Sequence, residues 1–231
     1  MTASSWKPRC PASRPTTSTS EDNPETVEDK GNRQLIDAAE AAGVEQFVFV
    51  SAIGASASSP VPFQAGKGKA EEHLRASRLR YTILQPNADM DVWLSMVFGM
   101  PLAQGLPITL VGDGNRKHSF IAEDDVRAFA LAALGHPAAR NQTLVLGGPQ
   151  ALLFRDVAAT YERVLGRPLE VRHVKAGTPV PGAPESIHQM VAAMDTYDSP
   201  IPMEETARTF DVDLATVEEF VRRSMSGSLR R

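Results

Sequence analysis

The sequence predicts an α/β protein built on a parallel sheet covered by helices. Helix-like and strand-like segments alternate over residues 24–85. The links between them are short, and the strand candidates are apolar runs rather than alternations, as in strands buried on both faces. The chain has 231 residues, 42% hydrophobic and 23% charged. That suits one large domain, or one domain with a small lobe.

The first helix is "DNPETVEDKGNRQLIDAAEAAGV" (22–44). Asn23 can cap it, Pro24 suits its first turn, acids favour that turn, and Gly43 suits a left-handed stop. Val27, Leu35, Ile36 and Ala39 form its apolar face. "QFVFVS" (46–51) then reads as a strand buried on both faces, "GKGKAEEHLRAS" (66–77) as a helix, and "YTILQ" (81–85) as a strand ended by Pro86. Ligands of parallel sheets sit at the carboxyl ends of the strands. Ser51 and the "QPN" turn (85–87) therefore fall on one edge, with Lys67 beside them.

Residues 89–105 form a helical stretch rich in Met, with Trp93; 107–121 read as two short strands around a Gly-Asp-Gly turn. "AEDDVRAFALAALGH" is a helix whose Asp124 and Asp125 favour its dipole. "QTLVLGG" (142–148) is another buried strand, "RDVAATYERVLGR" a helix stopped at Gly166, and "PLEVRHV" a short strand. A proline-rich link (176–186) leads into helical segments 185–195, 203–210 and 214–225. Three regions result: an atypical or disordered N-terminus (1–20), a main α/β domain (21–150) and a smaller, mostly helical C-terminal lobe (151–231).

A net charge of −4 offers no basic face for nucleic acid. Cys10 stands alone, which excludes an internal disulfide framework and fits a reducing compartment. No apolar run approaches membrane-spanning length. The five histidines have no second ligand at metal-site spacing, so no metal is expected. A cytoplasmic protein with a small-molecule substrate, and neither nucleic acid nor membrane as partner, is the expectation. Two glycine-containing stretches invite a phosphate-loop reading. "GDGNRK" (112–117) leads into a strand, and "GKGKAEE" (66–72) has Gly68 where such a loop needs Ser or Thr. They read as a turn and a helix entry. Met90, Trp93, Met96, Val97 and Met100 recur at helical spacing, as packed core or as an apolar pocket lining. His118 is a substrate hydrogen-bonding candidate, or simply a strand residue at the lobe junction, and Asp89 is expected to face solvent.

The stretches "LIDAAEAAGVEQFVFVSAIGA", "PVPFQAGKGKAEEHLRASRLRYTILQP", "VGDGNRKHSFIAEDDV" and "LGGP" resemble the NmrA-like, atypical branch of the short-chain dehydrogenase/reductase superfamily. The resemblance covers most of residues 24–225. It implies a Rossmann-type NAD(P)-binding domain with a small C-terminal α+β substrate lobe, a cofactor that is NADP or NAD with NADP preferred, and room for a homo-oligomer. In the wider superfamily a Ser polarises the substrate carbonyl, a Tyr moves the proton, and a Lys four residues on grips the nicotinamide ribose. Ser51 and Lys67 match two of these positions, and Phe63 stands at the third with no proton to give. The resemblance thus makes Lys67 and Ser51 catalytic, and places Ser51, Lys67, Pro86 and Asn87 at the cofactor. Phe63, Met90, Trp93 and His118 are the substrate-side candidates.

"QPNADMD" resembles a family turn with Gly where Asn87 stands, and Asn tolerates the left-handed conformation. Arg78 stands where the family has a helix-stopping Gly, and a left-handed Arg there would cost about 1 kcal/mol. The family's Gly-x-x-Gly-x-x-Gly turn does not occur in the sequence. The expectation is therefore a fragment lacking the phosphate-binding half of a reductase of small apolar carbonyls, quinones or enones, with impaired activity. The alternative is a non-catalytic NAD(P) sensor or partner-binding protein.

Overall fold

Strand β2 (Arg80–Pro86) is the centre of a three-stranded parallel sheet, between β1 (Gln46–Val50) and β5 (Gln142–Leu146). The register sets Val48 opposite Thr82, and Leu84 opposite Leu144. The computed structural model describes residues 23–175, 178 and 192–228. The expected N-terminal region, most of the proline-rich link and most of helix 185–195 lie outside the described residues.

Successive β2 residues face opposite layers, as the two-residue period of a strand requires. Ile83 packs with Ile36, Phe49, Ala70 and Leu74 on one side; Leu84 packs with Ile121, Phe129 and Leu146 on the other. β1 and β5 were expected to be buried on both faces, but within them only Phe49 and Leu146 are fully buried. Among the described residues each is the last strand on its side, so its outer flank has less to pack against.

Asn23 caps the first helix as expected, its Oδ1 accepting from the Glu25 and Thr26 amides at 2.9 and 3.1 Å. The helix opens with a π-helical segment (Glu25–Gly31), continues as α1 (Asn32–Ala41) and stops before Gly43 at φ +69°. Its predicted apolar face is only half right: Ile36 and Ala39 are buried, whereas Val27 and Leu35 are exposed. Val27 lies in the π segment, whose turns close i to i+5, so its spacing to Ile36 and Ala39 is not that of a regular helix.

Helix α2 (Pro62–Ala76) begins at a first-turn proline rather than at Gly66. "GKGK" is therefore helix interior, not a helix entry, and its glycines serve close approach. A Cβ on Gly66 would stand 2.8 Å from Glu28 Cβ; one on Gly68 would stand 2.2 Å from the Ser56 carbonyl carbon. Ser77, extended at φ −74° and ψ 170°, ends α2. Among the described residues only Asn141 and Asp211 are non-glycine residues with positive φ. Arg78 and Asn87 thus need no left-handed backbone, and Arg78 ties its amide and Nε to Glu40 Oε1.

Helices α3 (Met90–Leu94) and α4 (Met100–Ala103) run together through a π segment (Ser95–Gly99). Strands β3 (Ile108–Val111) and β4 (Lys117–Ser119) do not pair with each other as the turn between them suggested. β3 pairs in parallel with β7 (Val171–Val174), and β4 pairs antiparallel with β6 (Ala151–Leu153). A tight hairpin wants adjacent left-handed residues; here Gly112 and Gly114, at φ +71° and +64°, are separated by Asp113. Helices α5 (Glu123–Ala132), α6 (Phe154–Leu165), α7 (Glu204–Phe210) and α8 (Val217–Ser228) complete the order. Another core joins Met90, Leu94, Phe98, Phe120, Phe154, Tyr161 and Val221, with Phe98 stacked on Tyr161 at 4.9 Å.

Candidate active site at the carboxyl edge of the sheet

The parallel ladder continues past the end of β1. The Ser51 amide donates to the Leu84 carbonyl at 2.7 Å, and the Ile53 amide to the Pro86 carbonyl at 3.0 Å. These bonds hold Ser51 against the end of β2, on the edge where the sequence placed it. Ser51 is only 5% exposed, and among the described residues its Oγ has no hydrogen-bond partner. A buried hydroxyl left unpaired costs about 1–3 kcal/mol, so this one suits a position that a ligand completes.

Lys67 lies on α2 next to that edge. Its Nζ donates to the Val50 carbonyl at 3.1 Å and pairs with Glu28 Oε2 at 2.9 Å. The rings of Phe49 and Phe63 lie 5.1 and 5.7 Å from the ammonium, within cation–π range. Phe63 occupies the first turn of α2, where its ring covers the lysine but supplies no donor. Ser51, Phe63, Lys67 and Pro86 therefore gather at one edge.

The sequence reading missed the acids facing this lysine, since it singled out neither Glu28 nor Asp29. The available signal was an acidic pair on one helix and an alternating Lys67–Lys69 pair on the next. Asp29 is buried between Arg33 Nε at 2.7 Å, off the hydrogen-bonding direction, and Lys69 Nζ at 3.1 Å. Glu71, also buried, accepts from Arg75 and from Gln85, both at 2.8 Å. That second contact locks α2 to β2 and fixes the height of Lys67 on the sheet edge.

Asn87 and His118 belong to a different network. His118 is fully buried, and its Nε2 lies 3.0 Å from the Met194 carbonyl. A carbonyl only accepts, so Nε2 carries the hydrogen and Nδ1 accepts from Ser199 Oγ at 2.8 Å. Asn87 Nδ2 donates to the Ser199 carbonyl and Oγ at 2.9 and 3.0 Å. Burial holds the His118 pKa below its ordinary value. Ser199 carried no signal in the sequence. Met90 is buried in the core and Trp93 packs against it. Asp89 does not face solvent freely: half-buried, it caps α3 by accepting from the Val92 amide at 3.0 Å, and burial raises its pKa.

Residues 15–137, more than half of the chain, match the NAD(P)H-binding family. The chain belongs to that family. An NAD(P)H azoreductase of Xenophilus azovorans is 32% identical over 166 residues, covering 66% of this chain and 54% of that protein. A photosystem II assembly factor, Ycf39 of Trieres chinensis, is 30% identical over 144 residues, covering 62% and 44% respectively. The chain thus spans about half the length of these curated relatives.

Among solved structures, the NADPH complex of the Escherichia coli quinone oxidoreductase QOR2 superposes with a TM-score of 0.72 and 20% identity, covering 90% of this chain and 74% of that one. The NAD complex of a UDP-glucuronic acid 4-epimerase from Bacillus cereus gives 0.69 and 13%, covering 90% and 69%. At such identities the likeness shows the Rossmann-type fold alone. Family membership makes the cofactor class NAD or NADP. The residues at the edge fit the uncharged end of such a dinucleotide, since Ser51 Oγ lacks a partner among the described residues and the Lys67–Glu28 pair carries no net charge. Among the described residues no helix is long and apolar enough to cross a membrane.

Proposed function

We propose that this member of the NAD(P)H-binding family is an NAD(P)H-dependent oxidoreductase of the NmrA-like branch, acting on a small apolar carbonyl, quinone or enone. The observation that carries the reading is the meeting of Ser51, Phe63 and Lys67 at the carboxyl edge, with the Ser51 hydroxyl buried and unpaired. A bound reduced nicotinamide supplies the hydride. Ser51 Oγ is the donor that polarises the acceptor oxygen, and the Lys67 ammonium orients the nicotinamide ribose. Phe63 excludes water above the lysine and cannot deliver a proton. The reaction therefore suits acceptors that take their proton from solvent after hydride arrives, quinones above all, rather than alcohol oxidation. Pro86 belongs to the cofactor side of the site. Asn87 and His118 support it from behind by fixing the 194–199 segment. Residues 151–231 form the substrate lobe, in which Met90 and Trp93 of the preceding region pack.

Binding followed by tryptophan fluorescence, then NADPH oxidation against a panel of quinones, enones and aldehydes, tests the reading. We expect saturable NADPH binding, turnover with quinones, and loss of at least tenfold in kcat/KM for Lys67→Ala, the size of one charge-assisted contact. Unchanged turnover in Lys67→Ala would sink the role given to the lysine. A second reading, a non-catalytic sensor or partner-binding protein, is favoured by Phe63 at the proton-transfer position. NADPH binding with no oxidation by any acceptor would support it.

A further inference from the structure

Among the described residues, Glu28 is the one charged group at the site that the proposed chemistry leaves without a task. Its Oε2 faces Lys67 Nζ at 2.9 Å and Asn32 Nδ2 at 3.3 Å, whereas among the described residues no donor reaches Oε1. We propose that Glu28 is a ligand-binding residue whose Oε1 accepts a hydrogen bond from a hydroxyl of the nicotinamide ribose, while Lys67 Nζ donates to the neighbouring hydroxyl. The inference rests on the nicotinamide reading of this edge and adds a residue and a selectivity to it.

The lysine and glutamate side chains are 14% and 20% exposed, so the pair is sheltered enough for its hydrogen bonds to matter. Lys67 spends one N–H on the Val50 carbonyl and one on Glu28, and an ammonium has three. One donor on Lys67 and one acceptor on Glu28 thus stand side by side without net charge. A phosphate would meet the Glu28 carboxylate and be repelled. A vicinal diol, whose two hydroxyls both donate and accept, matches a donor next to an acceptor.

Glu28 is also held in place. Asn32 Nδ2 donates to its carbonyl at 2.9 Å, and Gly66 lets α2 pack directly on its Cβ. The buried, unpaired Ser51 Oγ is a second, independent mark of a ligand position, one residue beyond the carbonyl that Lys67 holds.

Isothermal titration of the full chain decides the matter, using NADPH and an NADPH analogue whose nicotinamide ribose lacks its 2′ and 3′ hydroxyls. Wild type should prefer NADPH. Glu28→Gln, similar in volume and checked for folding by circular dichroism, should weaken NADPH about tenfold and leave the analogue unchanged, as expected for one hydrogen bond to a charged group. Equal losses for both ligands would make Glu28 a structural residue and overturn the inference alone. So would a wild type that does not discriminate between the ligands, which serves should Glu28→Gln fail to fold. A wild type that binds neither ligand would overturn the nicotinamide reading, and the inference with it.

Discussion

Asp89 shows how a single side chain acquires a task that its residue type only permits. Its carboxylate caps α3 through the Val92 amide, and burial raises its pKa. A carboxyl whose folded pKa is raised makes the folded state costlier at neutral pH and regains stability as pH falls towards that pKa. Asp89→Asn keeps a capping oxygen and removes the buried charge. Its thermal midpoint near pH 7 should equal or exceed that of wild type, while Asp89→Ala should lose about 1 kcal/mol with the cap. An Asn variant as unstable as the Ala variant would show that the charge itself is what α3 requires. Asp125 follows the same logic at longer range. It was read as a dipole acid, yet it is buried and accepts from the Ala215 amide at 3.0 Å. Nothing in its local sequence names a partner ninety residues away, so only its presence in a first turn was legible.

At the scale of elements, most ends were legible because caps and stops are local chemistry. Asn23, Gly43 and Gly166 each act where the sequence put them. Pairing partners were not legible, because β3 and β4 choose strands far along the chain. The glycines of α2 lie between these cases, visible in the sequence but meaningful only against what packs on them. Gly68→Ala should gain up to about 1 kcal/mol of helix propensity. It should still destabilise the protein by about 1–3 kcal/mol net, because its Cβ would stand 2.2 Å from the Ser56 carbonyl carbon and 2.4 Å from the Ala57 amide nitrogen. Chemical denaturation measures this directly. A stabilised variant would mean that the 51–61 loop yields easily, and that Ser51 is not held rigidly beside Lys67.

Across the whole molecule, the Asn87–Ser199–His118 network ties the end of β2 to β4 and to the segment preceding α7. Burial lowers the His118 pKa, although Asp195 and Asp198 oppose the shift. A base with a lowered folded pKa contributes stability that is present above the unfolded value, 6.5, and lost as pH falls through the folded one. Between about pH 7.5 and about pH 5.5, which brackets an ordinary histidine, wild type should lose more stability than His118→Gln. Asp89 and Asp125 titrate alike in both proteins and cancel in the difference. Equal slopes would mean that the imidazole is not buried neutral.

Taken alone, the sequence determined the α/β class, most helix ends, and the edge on which Ser51, Lys67 and the Gln85–Asn87 turn meet. Those features follow from periodicity, capping and the geometry of parallel strands, all of which act over a few residues. The tertiary structure alone decided which groups neutralise one another. It set Glu28 against Lys67, used Asn87 and His118 to anchor Ser199, and left the Ser51 hydroxyl buried with no partner among the described residues. Charge pairing and desolvation depend on distances between segments that no local pattern encodes.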